Sequence, residues 1–302
     1  DRVLALRAEL RGELAKMVDA ATEQIALTAS TTDGCNLVLA GLDLGPTDEI
    51  VTTTDEHFGL LGPLHTSGAR VVVTSPDAEA ITAAVTSRTR LLAVSHVLWT
   101  TGQLLPVHEL RARTQLPILV DGAQSVGAVP VDAKGLDFMT ISGQKWLCGP
   151  ESTGALVVAD PQQLRVARPS YFSQESFEPD GAFEPWPGAR RFDPGWIPTP
   201  SLSGLLKALR SRPEWCFDRS QEMAERCRQM LTAAGEDVVS PEERATIVSW
   251  RPSGEEAVEV VARLASEGVL VREIPKTGLV RASVGWWTND EDLERLVRGL
   301  KE

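Results

Sequence analysis

The stretch 118–150, ILVDGAQSVGAVPVDAKGLDFMTISGQKWLCGP, decides how the rest of the chain is read. It continues the apolar run Leu116–Val120, interrupted only by Pro117. Such a run suits a strand buried on both faces. The run ends in Asp121-Gly122-Ala123-Gln124, so an acid stands at a strand's carboxyl end, where open α/β sheets bind ligands. A second strand-like run, Phe138–Ile141, ends in Ser142-Gly143-Gln144-Lys145-Trp146. Asp121 and Lys145 therefore fall at two strand ends, 24 positions apart (145 − 121).

One cofactor asks for such a pair. Pyridoxal phosphate needs an amine to join its aldehyde, and a carboxylate beside its pyridine nitrogen to keep that nitrogen protonated. The chain has six lysines, Lys16, Lys134, Lys145, Lys207, Lys276 and Lys301. Only Lys145 is set among glycine, serine and tryptophan at a strand end. Taken singly, Asp121 reads equally well as a helix cap and Lys145 as a solvated loop lysine; taken together they point to the cofactor.

The pattern DGAQ…SGQKW resembles the fold-type I pyridoxal-phosphate enzymes of the class V aminotransferase and cysteine desulfurase-like group. Within that group, SHVLWTTGQLLPV at 95–107 and VRASVGWWT at 280–288 are most similar to the L-cysteine/cystine C-S lyases. The likeness runs from about Thr28 to about Leu300. It implies a large domain with a mainly parallel sheet, like that of aspartate aminotransferase, followed by a small α/β domain. In chain numbers the expectation is a cofactor-binding domain over 1–200 and a small domain over 201–302. The chain opens inside a helical pattern at RVLALRAELRGELAKMV. Members of the group usually carry an N-terminal arm before this point.

The same resemblance assigns roles. Lys145 carries the cofactor, Asp121 faces the ring nitrogen and Gln124 the ring oxygen. Ser142 reaches the phosphate. Gln144 stands where the group usually has histidine; it can donate to the phosphate but cannot act as a base. Thr32 binds the phosphate by hydroxyl and backbone, with the N–H groups of Thr31 and Asp33 nearby. On the residues alone, Ser30-Thr31-Thr32-Asp33-Gly34 before the helical run Cys35–Leu42 is either an anion-binding helix start or a plain cap by Ser30 or Thr32. His57, in Asp55-Glu56-His57 after the strand Glu49–Thr53, occupies the place of the histidine that lies flat on the ring. Trp99 lines the pocket above it. Arg281 fits the anchor for the substrate's α-carboxylate, and Arg272 suits the far carboxylate of a disulfide-type substrate such as cystine. A guanidinium grips a carboxylate two-pronged, although a salt bridge from Arg272 to Glu273 is an equal reading.

The stretch 173–200 is dense in proline and glycine but holds two tryptophans and three phenylalanines, so it reads as an ordered loop. In the group this loop crosses to a partner subunit, and a threonine after a Phe-acid pair touches the partner's phosphate. Phe192-Asp193 fits the pair, whereas Trp196 takes the threonine's position, so that contact is either lost or supplied by Thr199. A homodimer follows as an expectation.

Composition excludes several classes. A net charge of −12 disfavours nucleic acid and anionic membranes. No apolar run has transmembrane length. The four cysteines, Cys35, Cys148, Cys216 and Cys227, and the four histidines show neither a disulfide framework nor a zinc spacing, so no metal is expected and a reducing cytoplasm is the default. The expected reaction is β-elimination on cysteine, cystine or an S-substituted cysteine, giving pyruvate, ammonia and a thiol or persulfide. An epimerase or aminotransferase on the same scaffold is the alternative. A desulfurase is disfavoured because no cysteine follows Cys227. A binding protein without catalysis is disfavoured by the presence of both Lys145 and Asp121.

Overall fold

The apolar runs assemble into a sheet of seven strands: β1 (Ile25–Thr28), β2 (Glu49–Thr53), β3 (Arg70–Thr74), β4 (Thr89–Ser95), β5 (Ile118–Asp121), β6 (Phe138–Ser142) and β7 (Gly154–Val158). Their spatial order is β1-β7-β6-β5-β4-β2-β3. Neighbours from β3 through β6 run parallel, while β7 is antiparallel to both β6 and β1. The computed structural model describes residues 2–301. The chain up to His96 forms this first unit together with Leu105–Arg212, and Val97–Leu104 belongs to a second unit with the chain from Pro213 onward.

Burial on both faces explains the unbroken apolar strands. Leu91, Ala93, Leu119, Phe138 and Leu156 pack against Cys35, Val38 and Leu39 of α2 (Thr31–Leu42) and Leu60 and Leu64 of α3 (Phe58–Thr66). Their strand neighbours Leu92, Val94, Ile118, Val120, Met139 and Ile141 are also fully buried, on the opposite face that a period of two dictates. Each such side chain contributes about 1.5–3 kcal/mol, so two-sided burial outweighs local propensity here. Helices α4 (Ala78–Ala83) and α5 (Val107–Thr114) pack on one another.

Helix α1 (Arg2–Met17) packs against β1 and α6 (Thr199–Arg210). That packing places α6 in the first unit, so the division falls at Arg212 rather than at the expected 200. Arg7 and Arg11 of α1 both donate to the carboxylate of Asp193, Arg7 at 2.7 Å, and the carboxylate also accepts the N–H of Leu27 at 2.9 Å. The loop 173–200 is ordered, as its aromatics suggested, and carries the hairpin β8 (Gln174–Phe177) and β9 (Phe183–Pro185). Trp196 is 71% exposed and stacks on Tyr171 with ring centroids 6.3 Å apart.

The second unit is an antiparallel sheet in the order β10-β11-β13-β12, formed by β10 (Asp237–Val238), β11 (Ile247–Arg251), β12 (Arg272–Ile274) and β13 (Leu279–Ser283). Helices α7 (Cys216–Ala233), α8 (Ala257–Ser266) and α9 (Asp290–Gly299) supply the rest of its core. Val248, Trp250, Val280 and Ala282 point into that core. Strand alternation therefore turns Ser249, Arg281 and Arg272 to the other face.

Candidate active site

In the first unit, strand register brings the sequence-selected residues to one edge. Thr28 pairs with Gly154, and Gly154 with Ser142; one step inward, Thr140 pairs with Asp121, and Asp121 with Ser95. This is the carboxyl edge of the parallel strands, where helix starts and loops converge.

Asp121 is buried, and its Oδ1 accepts both the N–H of Ala123 at 2.9 Å and the hydroxyl of Thr140 at 3.2 Å. Among the described residues no donor reaches its Oδ2. Gln124 accepts the indole N–H of Trp146 at 2.9 Å through Oε1, which leaves its amide N–H groups as donors. Ser142 is buried at the end of β6. Gln144 and Lys145 are exposed in the turn that follows. Two backbone bonds close that turn, Gly143 N–H to Thr153 O and Gly149 N–H to Gly143 O, both 2.8 Å. A side chain at Gly143 would lie 2.2 Å from Thr153 Oγ1, so only glycine permits the closure.

Helix α2 starts at this edge. Ser30 is its cap, accepting the N–H of Asp33 at 3.1 Å. Asp33 therefore departs from its expected role: its N–H is spent on the cap, and its carboxylate accepts from Ala29 N–H and Arg168. Thr31 and Thr32 hold the first-turn positions whose N–H groups have no partner within the helix. Gly59 approaches closely; a Cβ there would lie 2.7 Å from Thr32 Oγ1 and 3.1 Å from His57 Nδ1. The absent side chain leaves a cradle between the starts of α2 and α3. His57 is exposed and caps α3, its Nδ1 accepting the N–H of Gly59 at 3.0 Å, so a ring hydrogen of the unprotonated imidazole sits on Nε2.

Glu56, which sequence reading passed over, is buried beside this cradle. It accepts Thr53 Oγ1 at 2.9 Å, Ser95 N–H at 3.0 Å and the Ser95 hydroxyl. Burial drives its carboxyl up to about 7, against the pull of those hydrogen bonds and helped by nearby Asp121. Strands β2 and β4 pair only as far as Val51 and Leu92. Glu56 bridges the gap where their ends part, directly before His57. Nothing in Asp55-Glu56-His57 says that the second acid does this.

In the second unit, Arg281 is half-buried and donates to the carbonyl of Trp99 at 2.9 Å. Its Nε is buried and meets no partner among the described residues. Arg272 stands directly opposite it in the β12–β13 register. Neither arginine has a carboxylate in ion-pair reach among the described residues. The bridge from Arg272 to Glu273 is not made, since adjacent strand residues face opposite ways. Burial, then the neighbouring Arg272, lowers Arg281 to about 10, so it stays charged at neutral pH. The segment 97–104 is laid on this face by Ser249 Oγ to Thr100 O and Ser240 Oγ to Thr101 O, both 2.6 Å, and by Ala245 N–H to Gly102 O at 2.8 Å.

The first unit's edge fits pyridoxal phosphate: an acid with an open oxygen, a helix start with orphan donors facing a glycine-made cradle, and a lysine in a closed turn. The chain belongs to the aminotransferase class-V family, whose model matches residues 2–296. It is 30% identical to an isopenicillin N epimerase of Streptomyces clavuligerus over 99% of this chain and 84% of that protein. It is 25% identical to the cysteine desulfurase CsdA of Escherichia coli, over 99% and 83% respectively. Among solved structures it is similar to the cystine C-S lyase C-DES in complex with its product cysteine persulfide, with a TM-score of 0.92 and 26% identity, over 100% of this chain and 87% of that one. A C-DES mutant with glycine covalently linked to the PLP cofactor gives a TM-score of 0.93. The protein is a pyridoxal-phosphate-dependent enzyme with the fold of type I. No helix among the described residues is long and apolar enough to cross a membrane.

Proposed function

We propose that the enzyme is a carbon–sulfur lyase that performs β-elimination on cystine, cysteine or an S-substituted cysteine. The observation that carries this reading is the Arg272–Arg281 pair, two adjacent cations without a carboxylate partner among the described residues. Such a pair suits a substrate with two carboxylates, and burying a guanidinium without a counter-ion is costly until an anion arrives. The C-S lyase and desulfurase relatives point to the same substrate class.

Pyridoxal phosphate, when bound, supplies an aldehyde that joins amines and a ring that accepts an electron pair. Lys145 Nζ would hold the cofactor and, when free, would take the proton from the substrate's α carbon. Asp121 would keep a proton on the ring nitrogen. His57 would cover the ring, and Gln124 would donate to its oxygen. Thr31, Thr32, Ser142 and Gln144 would hold the phosphate. Arg281 fixes the α-carboxylate, Arg272 the far one, and Trp99 lines the approach. Sulfur leaves with the electron pair of the broken bond, and hydrolysis of the three-carbon remainder gives pyruvate and ammonia. The exposed aromatic loop, with Trp196 and Tyr171, is where a second copy would pack in a homodimer.

Desulfurase chemistry needs an accessible thiolate. Burial pushes the Cys227 thiol up to about 12 and raises that of Cys35 well above its ordinary value, and Cys216 is buried; Cys148 is exposed, but it sits in the closed turn that carries Lys145 and not on a loop of the second unit. Epimerisation is the second reading, favoured by the relative at 30% identity. The deciding experiment incubates the cofactor-loaded enzyme with cystine in deuterated water. Pyruvate release supports elimination; deuterium at the α carbon with no pyruvate supports epimerisation and sinks the lyase.

A further inference from the structure

Two loops carry the cofactor residues proposed above: the one after β5, with Asp121 and Gln124, and the one after β6, with Lys145. They touch at Gly127 and Trp146. Gly127 has φ +93°, and a Cβ on it would lie 2.9 Å from both the carbonyl carbon and the oxygen of Trp146. Only glycine tolerates that conformation and that approach. The contact leaves two backbone carbonyls, of Gly127 and Trp146, converging on one spot. Arg212 sits there. One guanidinium nitrogen donates to Trp146 O and the other to Gly127 O, each at 2.7 Å. The indole of Trp146 adds its bond to Gln124 across the same seam.

We propose that Arg212 is a positioning residue for Lys145: its planar fork ties the lysine turn to the loop of Asp121 and Gln124, and so fixes the amine relative to the acid. The inference rests on the reading of Lys145 as the cofactor lysine. A guanidinium offers two donors at a fixed spacing, whereas an ammonium is a single point charge on a flexible stem. Both bonds are charge-assisted and short, the strong kind. The rest of the turn cannot replace them. Its closing bonds run within 143–153 and give Lys145 a local shape; across the seam the Trp146 indole adds one side-chain bond to Gln124, whereas Arg212 holds the two backbones themselves.

The test compares Arg212→Lys and Arg212→Met with the parent. The cofactor-free proteins are followed by amide hydrogen exchange, and the loaded ones by the pH midpoint of absorbance near ~420 nm, the usual signature of this cofactor joined to lysine. Exchange over 143–149 should rise about tenfold or more in both variants, with the midpoint shifted. The turnover number should fall about 100-fold in Arg212→Met, the order of loss for a misplacement of about 1 Å, with KM changing less than about twofold. Arg212→Lys should not rescue it, because one amine cannot span both carbonyls. Should Arg212→Met fail to fold, Arg212→Lys decides alone. Parent-like exchange, midpoint and turnover in Arg212→Lys overturn the inference while the cofactor reading stands. A parent band that survives Lys145→Ala overturns both.

Discussion

Two pairs of arginines behave in opposite ways. Arg7 and Arg11 converge on the buried carboxylate of Asp193, which also takes the N–H of Leu27, so both guanidinium groups share one acid inside the chain. Arg272 and Arg281 face each other across β12 and β13, and the chain supplies no complement among the described residues. The first arrangement spends its charges on holding α1 against the sheet. On the function proposed above, the second leaves them for the substrate. Residue type is the same in both, so the difference lies in whether the fold brings an acid.

Removing the complement from the first pair should have the largest effect. Asp193→Ala strands two buried cations and is expected to cost about 3–5 kcal/mol, read as a lower midpoint in urea unfolding. A loss below about 1 kcal/mol would show that α1 docks without it. Glu56 sharpens the contrast as a buried acid that has only neutral donors around it. Its folded-state value of about 7 lies above the ordinary carboxyl range. Between those two values the folded protein keeps a proton that the unfolded chain releases. Stability therefore falls as pH rises through that window and levels off above about 7, by on the order of 3 kcal/mol in all. Glu56→Gln should flatten the curve of unfolding free energy against pH between about 4.5 and 8; an unchanged slope would assign it to another group.

The second pair should respond in activity rather than in stability. Arg281→Met is expected to lower kcat/KM about 100-fold, about 2.7 kcal/mol, with the unfolding midpoint held or raised because a poorly paired buried cation has gone. A fall in stability that matches the loss of activity would make Arg281 structural after all. Arg272→Met, at the exposed edge, should raise KM about tenfold for cystine and leave S-methylcysteine untouched. Equal effects on both substrates would remove its role at a far carboxylate.

The strand rhythm was legible because burial on both faces leaves unbroken apolar runs such as Leu91–Val94 and Ile118–Val120. Direction was not. Gly154–Val158 is as apolar as its neighbours, and nothing in GALVV says that β7 runs against β6. Helix α2 begins at Thr31, four residues before the run that marked it, because the cap Ser30 and not apolar periodicity sets its start. Asp121 and Ser142 were placed at strand ends by local pattern, and the structure puts them there. Arg212 and Glu56 were invisible, since each acts through backbone groups remote in sequence: Arg212 through carbonyls 66 and 85 positions away, Glu56 through an amide 39 positions away. Segment 97–104 looked like a loop of the large domain, because nothing in its own residues names the strands it lies on.

That segment also sets a timetable for synthesis. Eight residues of the second unit leave the ribosome 109 positions before the unit resumes at Pro213 (213 − 104). At roughly 5–20 residues per second, Trp99, Thr100 and Thr101 spend at least about 5–20 s without Arg281, Ser249 and Ser240, the donors their carbonyls end up with. The nascent chain must carry this piece as an open loop through that delay, so a fragment expressed from Pro213 alone would be born without the carbonyl that Arg281 uses.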